Sequence, residues 1–186
     1  FYNTSLDVTY GVRERDMNWN VDLGVKNQIF NWYGLPTSTI FFDETTINAI
    51  DAQQTYNTIA LGGKMSTKDG LFSEGSILFK RFSDGFGSGE NRFNIKPAFD
   101  FDVMDQKINA DFLIDYVGGS FERQYEADEE LKYSNVIFGT KPSILYQQDD
   151  LSVQIGAGIF YTTGKFNGAS DSKLFVYPNV KASYRI

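Results

Sequence analysis

The chain contains no cysteine and no histidine. Without cysteine, neither a disulfide framework nor a thiolate metal site is available. Without histidine, imidazole is lost both as a general base and as a metal ligand, which removes Ser-His-Asp hydrolysis and histidine-based zinc chemistry. Long apolar runs are missing as well: no stretch of about 18 apolar residues occurs, so no spanning helix is encoded. A barrel whose strands alternate apolar and polar residues escapes that test. Basic charge is in deficit, with 17 Lys and Arg against 24 Asp and Glu, which counts against a nucleic-acid partner because phosphates require a basic face. No basic, apolar and small-residue leader opens the chain. Phe1 is therefore expected to be a mature terminus or a cut within a longer protein.

Aromatic residues are plentiful, at 16% with 11 Tyr and 17 Phe, although only 41% of residues are apolar. Aromatic excess without bulk hydrophobicity points to sheet. At 186 residues the chain has the length of one domain, and no linker or second apolar core marks a boundary. Residues 1–186 therefore read as a single β-barrel segment with no plug domain.

The strongest signal has period two. Leu6, Val8, Tyr10 and Val12 alternate with Asp7, Thr9 and Gly11, and Met17, Trp19, Val21, Leu23 and Val25 alternate with Asn18, Asn20, Asp22, Gly24 and Lys26. Cβ atoms alternate across a strand, so each set occupies one face. The pattern returns at Phe93–Val103, Ile108–Tyr116, Val136–Tyr146, Leu151–Tyr161 and Val176–Ile186, with weaker strands at Thr55–Met65 and Glu74–Phe82. This predicts nine strands of roughly 9–11 residues, the length that crosses a hydrocarbon layer when tilted. The fold class expected is an all-β, antiparallel transmembrane β-barrel of the outer-membrane type. The competing soluble β-sandwich has strands of about 5–6 residues and no reason to end its apolar sets in Tyr or Trp, as membrane girdles do. Pro97, Pro142 and Pro178 sit awkwardly on the apolar face, since each removes a ladder donor.

Connections are expected to alternate, with short ones at Arg13–Asp16, Thr67–Gly70, Met104–Gln106 and Gln147–Asp150. Longer ones are expected at Trp32–Gln54, Ser83–Arg92, Val117–Ser134 and Thr163–Lys173. Short turns are periplasmic in such barrels, so the first strand would run inward. Nine strands starting outside would be part of a larger barrel, or two chains would complete each other.

The face opposite the apolar one carries the candidate functional residues: Asp22, Lys26, Lys64, Lys96, Asp100, Asp102, Asp111, Asp115, Lys141 and Lys181, all predicted to face the lumen. Asp7, Lys80 and Arg185 belong to the same set. The signs nearly balance, whereas a strongly selective pore shows a one-signed ring. Cross-strand ion pairs stiffening a wall are thus expected, with a polar ligand channel as the alternative. The acidic stretch Tyr125–Ser134 invites a Ca²⁺ reading but lacks the Gly and oxygen spacing of a calcium loop, and Asp84–Arg92 is Gly-rich without the Lys-Ser/Thr of a phosphate cradle. Both read as loops. The pairs Asp100/Asp102 and Asp111/Asp115 have no histidine and no nucleophile setting beside them, so no enzyme, no metal site and no cofactor is expected.

Five segments, NWYGLP (31–36), ENRFNIKPAFDF (90–101), DYVGGSF (115–121), YQQDDLSVQIGAGIFY (146–161) and YPNVKASYRI (177–186), resemble parts of longer TonB-dependent-receptor-like outer-membrane proteins. The resemblance implies the outer membrane of a Gram-negative bacterium, contact with its lipid, and uptake of a polar solute or nutrient. It transfers no functional residue, because the matching segments are wall and turn. The plug domain and energy-coupling box that define such transport are not among these residues. The alternative is a non-conducting structural or accessory barrel in a complex with other outer-membrane proteins, of the barrel-assembly or secretion kind.

Overall fold

The computed structural model describes residues 1–31, 53–103, 106–122 and 130–185. The regular elements among them are nine β-strands: β1 (Tyr2–Arg13), β2 (Met17–Asn31), β3 (Gln53–Thr67), β4 (Phe72–Asp84), β5 (Gly89–Val103), β6 (Gln106–Phe121), β7 (Leu131–Gln148), β8 (Leu151–Phe166) and β9 (Ala169–Tyr184). They form one sheet in chain order, each strand antiparallel to the next. Among the described residues β1 and β9 are its two free edges. No helix long and apolar enough to cross a membrane occurs among these residues.

Register explains why the period-two sets meet. Leu6, Val8, Tyr10 and Val12 stand opposite Val25, Leu23, Val21 and Trp19, so the apolar residues of neighbouring strands fall on one face and pack sideways. A register shift between Phe72 and Glu74 brings Phe72 onto that face, its ring 5.9 Å from that of Phe99. Among the described residues nothing covers the apolar face: Ile155 is 59% and Val180 65% exposed. What burial exists lies largely on the other face, at Asn94 (8%), Ala98 (7%) and Ser143 (4%). No large side chain is fully buried among the described residues. Among the described residues the sheet has no second layer to make a core.

The strands run 12–18 residues, longer than the 9–11 expected. They continue past the apolar stretch into segments polar on both faces, held by backbone pairing. Two expected loops shrink for the same reason. Thr163–Lys173 is mostly strand, with Thr163, Gly164 and Lys165 paired to Ser172, Asp171 and Ser170. The reversal is Asn167–Gly168 alone, at φ 44° and 88°, the left-handed pair that a type I′ hairpin turn requires and that Asn-Gly supplies. Ser83–Arg92 reduces to residues 85–88, where Asp84 Oδ1 accepts from the backbone N–H groups of Phe86 at 2.9 Å and Ser88 at 2.8 Å. Short and long connections therefore do not alternate strictly. Residues 32–52, 104–105, 123–129 and 186, which include most of NWYGLP, part of the Met104–Gln106 turn and the first half of the acidic stretch Tyr125–Ser134, lie outside the described residues.

The prolines interrupt the ladder on one side only. Pro97 keeps its place opposite Gly75, while β5–β6 pairing lapses at Lys96 and Pro97. Pro142 keeps Ala110, while β7–β8 pairing lapses at Lys141 and Pro142. Pro178 pairs with Ala157, and its other side is the free edge of β9. Each missing donor thus affects a single neighbour.

Candidate functional site

The polar face is assembled by register from all nine strands. One row runs Gly11, Asn20, Lys64, Ser76, Lys96, and another Thr9, Asp22, Gly62, Leu78, Asn94, Asp115, Ile137. Lys26 stands opposite Ser5 and Thr58, Asp100 opposite Asn109, and Asp102 opposite Lys107. Asp111 faces Lys141, and Lys181 faces Gln154. All ten residues singled out from the sequence therefore share this face.

Their partners differ from the lattice of ion pairs expected. Among the described residues, Asp115 is the one member of the ten in an ion pair, receiving Arg92 Nη2 at 2.7 Å and Nε at 3.1 Å in a two-pronged bond. Asp22 instead accepts from Thr9 Oγ1 at 2.7 Å and Asn20 Nδ2 at 2.6 Å, and Asp100 accepts from Asn109 Nδ2 at 2.9 Å. Lys141 lies over the Phe160 ring, 5.9 Å from its centroid, and makes no ion pair with the facing Asp111 among these residues. The Arg92 side chain is 51% exposed, so a double-mutant cycle of Arg92→Gln and Asp115→Asn is expected to give a coupling of about 0.2–1 kcal/mol. A coupling of several kcal/mol would mean that water does not reach this face.

Arg92 was hidden in the sequence because the stretch before it reads as loop. A second missed feature is aromatic. Phe30, Tyr56 and Phe82 form a row on the polar face near the 31/53 end of the sheet, with ring centroids 5.4 and 5.5 Å apart. Farther along the same end, Tyr133 donates its hydroxyl hydrogen to Glu90 and stacks on Phe121 at 6.0 Å. No apolar periodicity marks Phe30, Tyr56 or Phe82, since their strand neighbours on the same face are polar.

Arg13, Asn20, Lys64, Glu74, Ser76 and Lys96 line a concavity of about 700 Å³. Among the described residues no group of three acidic, cysteine or histidine side chains could hold a metal ion. The arrangement can hydrate, attract and hydrogen-bond a polar solute. Fold and face together define an all-β protein built as one open antiparallel meander, apolar on one side and charged on the other. No family model matches the chain, and neither does any curated protein or solved structure.

Proposed function

We propose that the sheet is part of the wall of an outer-membrane β-barrel of a Gram-negative bacterium, its apolar face against lipid and its polar face lining a path for a polar solute. The observation that carries this reading is the uncovered apolar face, continuous from Leu6 and Val8 through Leu61, Ile77 and Phe138 to Val180. Exposed apolar area on this scale has no favourable resting place in water. Hydrocarbon accepts it, provided backbone groups are paired, as they are within this sheet apart from the two lapses beside Pro97 and Pro142.

The slant of the apolar band supports a barrel. The hydrogen-bonded row through Val8 passes Leu23, Leu61, Phe79, Phe93, Tyr116, Val136 and Thr163 and ends at Ser172. Val8 is within the apolar run of β1, whereas the apolar run of β9 is centred near Pro178, six residues beyond Ser172. Six residues at ~3.3 Å set against eight strand spacings of ~4.8 Å make an angle of roughly 30° between band and rows. Barrel strands tilt by about 35–45°.

β1 and β9 run in the same direction, so all-antiparallel closure takes an odd number of further strands. Hydrocarbon does not tolerate unpaired edges, which supports a larger barrel. Lipid and neighbouring outer-membrane proteins are the partners this reading implies. The resemblance to TonB-dependent-receptor-like proteins favours uptake over a purely structural role.

Solute flux tests the reading. Whole protein from outer membranes, reconstituted into liposomes, is expected to let a small neutral sugar equilibrate and so swell the vesicles. Inserted protein without flux would overturn the passage and favour the accessory, non-conducting barrel.

A further inference from the structure

On the polar face of β3–β5 four cations lie among five acids, Glu74, Asp84, Glu90, Asp100 and Asp102, and the cations are gathered toward its middle. Lys64 on β3, Lys80 on β4, and Arg92 and Lys96 on β5 occupy three adjacent strands, in a chain with 24 acids and 17 bases. Lys80 stands directly opposite Arg92. Like charges in facing positions destabilise a sheet, so the placement calls for compensation. Arg92 finds it across β5–β6, on Asp115. Of the nearby acids, Asp84 holds the turn at residues 85–88, Glu90 accepts from Tyr133 and Asp22 accepts from Thr9 and Asn20, while Asp7, Glu74 and Asp111 border the lysines without an ion pair among the described residues. Among the described residues, Lys64, Lys80 and Lys96 make no ion pair.

Lys64 and Lys96 flank Ser76 in one hydrogen-bonded row, about 10 Å apart at two strand spacings. That separation lets two flexible ammonium stems converge on one solute, with the Ser76 hydroxyl between them as a further donor. Both lysines, Ser76 and Arg13 line the same concavity, together with one acid, Glu74. Its charged lining is three cations to one anion.

We propose that the β3–β5 part of the polar face, with Lys64 and Lys96 bracketing Ser76, is a binding site for a small solute carrying two or more negative charges, such as a diphosphate. The site rests on the reading of this face as a passage and names the class of solute it favours. Arg13 adds a third positive group at the turn end, and Lys80 lies about four residues along the sheet, placed to receive the anion as it moves.

Whole protein in a planar bilayer under a salt gradient provides the test. The expected result is a reversal potential displaced toward the anion, and current blocked by inorganic pyrophosphate. The double variant Lys64→Gln/Lys96→Gln is expected to need about tenfold more pyrophosphate for the same block and to lose the anion preference. Lys165→Gln, on the opposite face by its pairing with Ser134, leaves both unchanged. A cation-preferring or unselective pore, or block that survives the double variant, would overturn the anion site and leave the passage standing. If no current flows at all, the passage fails, and calorimetry of pyrophosphate binding in detergent decides the site: binding lost in the double variant supports it, and no binding to the native protein rejects it.

Discussion

Replacing Ile155 by arginine is expected to lower the stability of the protein folded into lipid vesicles by about 2–4 kcal/mol, the range for arginine near the bilayer midplane on a barrel's outer face. Ile155 is mid-way along the apolar run of β8 and opposite Val180. Val21→Arg, between Tyr10 and Gly63 on neighbouring strands, is expected to behave alike. The size of the effect separates two environments sharply. Ile155 is 59% exposed, and in water a charged substitution at so exposed a position changes stability by about 0.5 kcal/mol or less. In hydrocarbon the same guanidinium must be dehydrated or must drag water and headgroups toward it. Reversible denaturant titrations in vesicles measure the difference, and a neutral outcome at both sites would remove lipid from the apolar face.

Gly156→Ala is expected to destabilise by about 1–3 kcal/mol, the usual range for forcing extra volume into a packed position. A Cβ added at Gly156 would collide with the Pro142 carbonyl oxygen and come within 2.7 Å of Ser143 Cβ and 3.0 Å of Ser143 Cα. These are backbone and near-backbone atoms of β7, which cannot rotate away. Gly156 is paired with Ser143 at the border of the lapse in β7–β8 pairing at Lys141 and Pro142, so the ladder spreads strain from the site in one direction only. Gly164 on the same strand is the control: a Cβ there meets nothing nearer than 3.7 Å, and Gly164→Ala is expected to be neutral or to gain about 0.5–1 kcal/mol from reduced chain entropy. Equal behaviour of the two variants in the same titration would contradict the close approach at Gly156.

Strand identity was legible because one face is apolar and the other polar. Where both faces turn polar, period two loses its contrast although the backbone goes on pairing. Thr163, Lys165, Ser170 and Ser172 share a face with Tyr161 and Leu174 but carry no apolar signal, which is why the β8–β9 hairpin read as a loop down to its Asn-Gly turn. The same holds for Gly89 and Asn91 at the start of β5. The face of each candidate charge was also legible, since phase along a strand decides it. Partnership was not. That Arg92 meets Asp115, or that Lys80 faces Arg92, depends on which residues two strands set side by side, and neighbouring strands could slide by two residues without changing the pattern on either face. The aromatic row of Phe30, Tyr56 and Phe82 likewise becomes visible only once three strands are in register.

If the sheet is a barrel wall, one of its faces meets lipid and the other meets water. The chain has no cysteine, so a single introduced cysteine reports on one place. Leu61→Cys and Ile155→Cys on the apolar face, and Ser76→Cys and Thr162→Cys on the polar face, each carrying a fluorophore, should be compared in vesicles with and without lipid-borne nitroxide. Strong quenching is expected at Leu61 and Ile155 and little at Ser76 and Thr162; equal quenching at all four sites, or none at the first two, would mean that the apolar face does not meet lipid.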